Sequence, residues 1–184
     1  MHEMTDTLLI LSSALLLVFA ALSAVDGVYI HLVRLRLHAH AASWTEHVWH
    51  TGRAVLFAPI LLSLFTHVTG GALLWAGIAL LVVDQALELL DTTSENESRA
   101  ALGGLGTFEY VLHILLTTLR TAAIAVGLAA RPAAAWSLSA PNVLGELPGF
   151  WGVAVLQLVP GAVVIALLHV GLAVRHRRLC GCFA

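Results

Sequence analysis

Long apolar runs alternate with short polar breaks along this chain, and five of the runs are long enough to cross a bilayer. An apolar stretch of about 20 residues spans the hydrocarbon core as a helix. The runs cover about 7–31, 45–68, 72–91, 107–130 and 150–174. Thr7 suits the start of the first. Gly70-Gly71 closes the second, Arg131-Pro132 stops the fourth, and Pro160 is placed to kink the fifth. The pattern predicts an all-α integral membrane protein, one domain over 1–184. Helices one to four form an up-down bundle and the fifth packs alongside.

Composition agrees. The chain is 59% hydrophobic and 11% charged, with mean hydropathy +0.91. Soluble domains are about 25% charged, so lipid is the expected solvent. A net charge of −2 offers no basic face for nucleic acid. The N-terminal segment has Glu3 and Asp6 but no basic residue, so the first run reads as a retained helix rather than a cleaved signal. Arginine without lysine, with abundant Ala and Leu, points to a GC-rich bacterial genome and an inner-membrane location.

Arginine placement sets orientation. Arg34, Arg36, Arg99, Arg175, Arg177 and Arg178 flank one side, and Arg131 flanks the other. The positive-inside rule then gives an N-out, C-in topology.

The ionisable residues inside the runs carry the chemistry. On a helix, positions i, i+4, i+7 and i+11 share a face. Glu46, His50 and Arg53 form one such stripe. Asp84, Glu88, Asp91 and Glu95 form a second, and Glu109, His113 and Arg120 a third. Each lies toward the cytoplasmic end of its run. Intramembrane ionisable groups are costly and mark function by default. Asp26 joins them from the first run and His169 from the fifth. His31 lies five residues after Asp26, about 140° around a straight helix. The two share a centre only if the helix bends, with Gly27 the place for it.

Glu46 to His50 and Glu109 to His113 both read E-x-V-x-H, a trace of an internal repeat. Carboxylates and imidazoles converging from four helices suit a pair of metal ions, as in soluble di-iron bundles that use Glu and Glu-x-x-His. The present spacing is Glu-x-x-x-His, so the analogy is one of ligand type. The expected metal ligands are Asp26, Glu46, His50, Asp84, Glu88, Asp91, Glu109, His113 and His169. Arg53 and Arg120 are expected to pair with acids such as Asp84 or to meet a substrate's anionic group.

Mixed nitrogen and oxygen ligands favour iron ahead of zinc or manganese. The expected function is a dinuclear non-haem oxidoreductase acting on a lipid, quinone or other apolar substrate at the cytoplasmic face. A zinc hydrolase assisted by Ser23 ranks below it. Three alternatives stand beside this reading. One is a membrane subunit or scaffold, partnered by other subunits, with a structural network of Arg, acid and His. Another is a b-type haem protein using His31, His50, His113 or His169. The third is a proton or cation path along Asp84, Glu88 and Asp91. His67 is expected at the outer interface, and His38 and His40 in a solvated loop. His47 falls off the stripe, and Cys180 and Cys182 lie in an inert, reduced tail.

Overall fold

The computed structural model describes residues 2–100 and 102–179, of which Cys180 and Cys182 are not part. The chain is 80% helical. Helix α1 (His2–Ala24) continues into a π-helical segment (Val25–Arg34), and a short 3-10 turn follows at Leu37–Ala39. Then come α2 (Trp44–Leu64), β1 (His67–Thr69), α3 (Gly71–Ala100) and α4 (Thr107–Ala129). A second 3-10 turn (Ala133–Trp136), β2 (Val143–Glu146), α5 (Trp151–Leu156) and α6 (Leu158–Leu179) complete it.

Among the described residues, four helical stretches are long and apolar enough to cross a membrane: Glu3–Ala39, Gly71–Ala100, Thr107–Ala129 and Trp151–Arg177. The second predicted run is not one of them. Glu46, His47, His50 and Arg53 crowd the first half of α2 and lower its hydropathy. α2 is enclosed instead, packing on α3 and α6, while α1 packs on α4.

Several boundaries move for identifiable reasons. The break between α5 and α6 falls at Gln157, not at Pro160. Proline lacks the N–H that would bond the carbonyl four residues back, and for Pro160 that carbonyl belongs to Leu156, the last residue of α5. α3 runs nine residues beyond the predicted end at Asp91. Its extension is polar, yet Glu95, Ser98 and Arg99 are buried. Hydropathy ends where water is expected, whereas this helix continues against protein.

The two ends of the bundle differ. At one end Leu9, Leu16, Leu61, Leu64, Leu74 and Ala123 form a dry apolar core. Helices meet closely here: Ser12 donates from α1 to the Ala123 carbonyl of α4 at 2.7 Å. A small antiparallel sheet caps this end, pairing His67 with Glu146 and Val68 with Gly145. Gly71 makes the turn into α3 at φ +57°, where a Cβ would sit 2.1 Å from the Ala140 carbonyl oxygen. His67 lies in this sheet, 3.5 Å from Glu146. Arg131 is buried beneath it, donating to the carbonyls of Leu64 and, at 3.0 Å, His67. Burial pushes its guanidinium down to about 10. At the opposite end all four helices turn polar inside.

Candidate functional site

The π-helical segment brings Asp26 and His31 to one place. In such a segment each N–H reaches back five residues, as Leu35 does to the Ile30 carbonyl at 2.8 Å. Residues five apart then share a face. Asp26 Oδ1 and His31 Nε2 lie 3.6 Å apart, both buried. The helix widens over a whole stretch rather than bending at Gly27.

The polar interior divides into two groups. The deeper group is an arginine cage. Arg120 donates to Asp84 and Glu88, and at 2.7 Å to Gln85. Thr117 donates to Glu88 at 2.8 Å. Arg53 Nε donates to Asp84 Oδ1 at 3.4 Å, and its other nitrogens lie 3.9 Å from Glu88 and 3.7 Å from Asp91. Asp84 and Glu88, expected among the metal ligands, therefore have arginine partners.

The outer group is built on histidine. Asp26 Oδ1 is 3.3 Å from His113 Nε2, and Glu95 Oε1 is 3.0 Å from His113 Nδ1. His31 Nε2 is 3.3 Å from Glu109 Oε1. His50 Nε2 lies 3.3 Å from Asp91 and 3.7 Å from Glu46. The His31 and His50 rings are 4.3 Å apart, and those of His31 and His113 5.8 Å. Three sets of ligand atoms each lie within 4.8 Å of one another: Asp26, His31 and His113; His31, Glu46 and His50; and Glu95, Glu109 and His113. His31 and His113 each belong to two sets, so the sets overlap.

Arg99 sits in the middle, fully buried. It donates to Glu46 Oε2 at 3.0 Å and to Glu109 Oε1 at 2.5 Å, joining the first residues of the two E-x-V-x-H segments. Ser98 also donates to Glu46. Arg99, expected to flank the cytoplasmic side, lies inside instead. Its membership of the Glu95 face, one turn on, was the signal that it belonged inside.

His169 is set apart from this group. Its ring stacks on His47, centroids 5.3 Å apart and planes 15° apart, with His38 5.8 Å from His47. His169 lines the same cavity as His50 and His113 but belongs to none of the three ligand sets. Depth along a helix says nothing of direction around it.

His31 is 1% exposed, and neither of its ring nitrogens has a hydrogen-bond partner. A neutral imidazole carries one donor and one acceptor, and burying both unpaired costs about 1–3 kcal/mol each. Unpaired buried groups of this kind point to an ion or water at the site. Charge leads the same way. Asp26, Glu46, Asp84, Glu88, Asp91, Glu95 and Glu109 share three arginines, Arg53, Arg99 and Arg120. The carboxylates outnumber the arginines by four, an excess that imidazolium charge on His50 and His113 or bound cations can offset.

A cavity of about 500 Å³ adjoins both groups. His50, Asp91, His113 and Arg120 are on its polar wall, and Leu17, Phe57, Leu116 and Ile165 on its apolar wall. Phe19 and Phe57, in edge contact at 5.9 Å, lie toward the dry core. No protein-family model matches the sequence, and no curated protein or solved structure was found to match it.

Proposed function

We propose that this chain is an integral membrane metalloenzyme with a dinuclear non-haem centre, an oxidoreductase acting on a lipid, quinone or other apolar substrate. The observation that carries the reading is His31, buried with neither nitrogen hydrogen-bonded and its Nε2 3.3 to 3.6 Å from two carboxylates, in a cluster where carboxylates outnumber the arginines. Two divalent cations carry the charge that the seven carboxylates lack. His31, His50 and His113 supply nitrogen. Asp26, Glu46, Asp91, Glu95 and Glu109 supply oxygen, and Arg99 orients Glu46 and Glu109. Oxygen-rich ligation with some imidazole suits iron first, then manganese or zinc. Iron bound there supplies one-electron redox chemistry, and the cavity presents the substrate from the lipid side.

The membrane is a bacterial plasma membrane in this reading, with five spans, α2 among them as the enclosed one. Among the described side chains, the exposed arginines Arg34, Arg36, Arg175 and Arg177 all lie at the histidine end. Removing Arg99 from the loop count leaves that bias in place, and it supports N-out, C-in with the site toward the cytoplasm.

A second reading, a structural network within a membrane subunit, is favoured by one observation: the arginine cage leaves no net charge on Asp84 and Glu88. Metal analysis and an absorption spectrum of the purified protein separate the readings. About two iron ions per chain without a Soret band is expected. A Soret band means haem, and a folded protein that binds no metal leaves the network reading.

A further inference from the structure

The cavity has a chemistry of its own. Its length follows from the helix that lines it from Leu158 to His169 on α6, eleven rises and so roughly 16 Å, with Leu17 of α1 to Val28 of the π-helical segment running beside it. Its volume lies within the range of sites that enclose a small ligand. The wall from α1 and α6 is mainly apolar, with Leu17, Ala20, Leu158, Ala162 and Ile165, and turns polar at its ends at Asp26, Gln157 and His169. The lining also carries polar atoms without a hydrogen-bond partner: Arg120 Nε and His169 Nδ1, on residues more than nine-tenths buried, and Asp91 Oδ1, whose side chain is 12% exposed. Such atoms are costly unless something occupies the space before them.

The ligand's charge follows from the cations. Both terminal nitrogens of Arg120 are committed to Asp84, Glu88 and Gln85, and Arg53 reaches Asp84, Glu88 and Asp91. No guanidinium is left to meet an acidic head group in pairs. A carboxylate or phosphate would stand desolvated beside Asp26, Asp91 and Glu95, at a cost of several kcal/mol. The wall also has surface access. Ala21 and Ala24 of α1 and Gly161 of α6 line the cavity and are themselves exposed, on faces that meet lipid.

We propose that this cavity takes one uncharged single-chain amphiphile from the bilayer. Its hydrocarbon lies along α1 and α6, and an alcohol, aldehyde or ketone oxygen meets the polar wall near His50 and His113. It rests on the metalloenzyme reading only in making this molecule the substrate: His50 and His113 are metal ligands in that reading, while the part of the cavity along α1 and α6 that takes the hydrocarbon is formed without them. Without a metal the carboxylates disfavour acidic lipids and fatty acids, so the probes are compared on metal-free protein as well.

The test uses the full chain in phosphatidylcholine nanodiscs and two photoreactive probes of one chain length, a diazirine primary alcohol and the matching sulfonate. The alcohol should label α1 or α6 saturably, be displaced by excess unlabelled alcohol, and exceed the sulfonate about tenfold or more. A Cβ at Gly161 meets nothing within 4 Å, so the first atom of Gly161→Phe is accommodated and its ring narrows the cavity. It should abolish labelling and leave metal content at the wild-type level. Equal labelling by the sulfonate, or labelling that excess alcohol does not displace, overturns the proposal. So does undiminished labelling of folded Gly161→Phe. If that variant does not fold, the displacement and sulfonate comparisons on the wild type decide. Metal is measured in the same samples. Labelling without metal ends the enzyme reading and leaves the cavity assignment standing, and metal without labelling does the reverse.

Discussion

The arginine cage and the histidine cluster share three stripes, one or two turns apart, the cluster adding Asp26 and His31 from the π-helical segment, and they solve the same problem differently. In the cage every acid meets a guanidinium. Asp84 and Glu88 share Arg120 and Arg53, and the sum is neutral. In the cluster five acids meet Arg99, the edge of Arg53 at Asp91 and three imidazoles, of which His31 has no hydrogen bond at all. A buried ion network that is complete in itself holds helices in register. One that is incomplete in charge and in hydrogen bonds is poised for something else. The contrast teaches that the polarity of a stripe does not assign its role, and that the partner on the facing helix does.

Breaking the cage should have the largest effect. Arg120→Met leaves Asp84 and Glu88 facing each other with only Arg53 between them. Removing one partner of a buried ion pair costs about 3–5 kcal/mol, so thermal unfolding in detergent should shift sharply down, with or without a chelator. Adding Asp84→Asn and Glu88→Gln to the same chain should restore most of the loss, because no uncompensated charge then remains. A cage that tolerates Arg120→Met would not be the structural element described here.

The cluster should respond to metal instead. An ion held at a hundredfold excess over its Kd stabilises the folded state by about 2.7 kcal/mol. Chelation should lower wild-type stability by about that amount and leave a His31→Ala variant almost unmoved. His31→Ala should itself lower metal affinity about tenfold or more, read by metal content after dialysis. Wild-type metal content in His31→Ala would transfer the cluster to the structural class.

Much of this contrast was legible in the sequence, and the rest was hidden for physical reasons. Helical periodicity put Glu46 with His50, and Glu109 with His113, on shared faces. It also set Arg53 and Arg120 at the depth of Asp84. Periodicity could not say which stripe faces which, so Asp84 and Glu88 read as ligands alongside Asp91. Asp26 and His31 looked incompatible because the ideal α-helical angle was assumed, and π-helical winding has no simple sequence signature. Glu95 and Arg99 lay beyond the hydropathy boundary at Asp91, where a polar helix covered by protein looks like a loop. The paired strands were hidden in the same way, since three or four residues at a membrane surface carry no period to read.

At the dry end, packing rather than charge is limiting. A Cβ on Gly77 would lie 2.5 Å from Leu64 Cδ2 and 2.6 Å from its Cγ. Forcing these helices apart costs about 1–3 kcal/mol. Gly77→Ala should therefore lower the unfolding temperature while leaving the metal content of the folded fraction unchanged, since α2 and α3 separate far from His50 and Asp91. A variant that lost metal in proportion would show that the two ends are mechanically coupled.

The smallest effect sharpens the comparison most. His169 and His31 are both buried histidines, and each has a ring nitrogen without a hydrogen-bond partner. Burial and unsatisfied nitrogen alone would rank them together as ligands. Their surroundings differ: His31 lies 3.3 to 3.6 Å from two carboxylates, and the only ring stacked on His169 among the described contacts is that of His47. No cation gains from an imidazole pair that lacks nearby anions to balance it as it gains from His31. His169→Ala should leave metal content at the wild-type level and remove one aromatic stack, worth about 0.5–1.5 kcal/mol. The space it vacates joins the existing cavity. Metal content and unfolding temperature of His169→Ala and His31→Ala, measured side by side, decide the matter. Equal metal loss in both would mean that the His47 and His169 pair belongs to the centre, and that the division by facing partners drawn here is wrong.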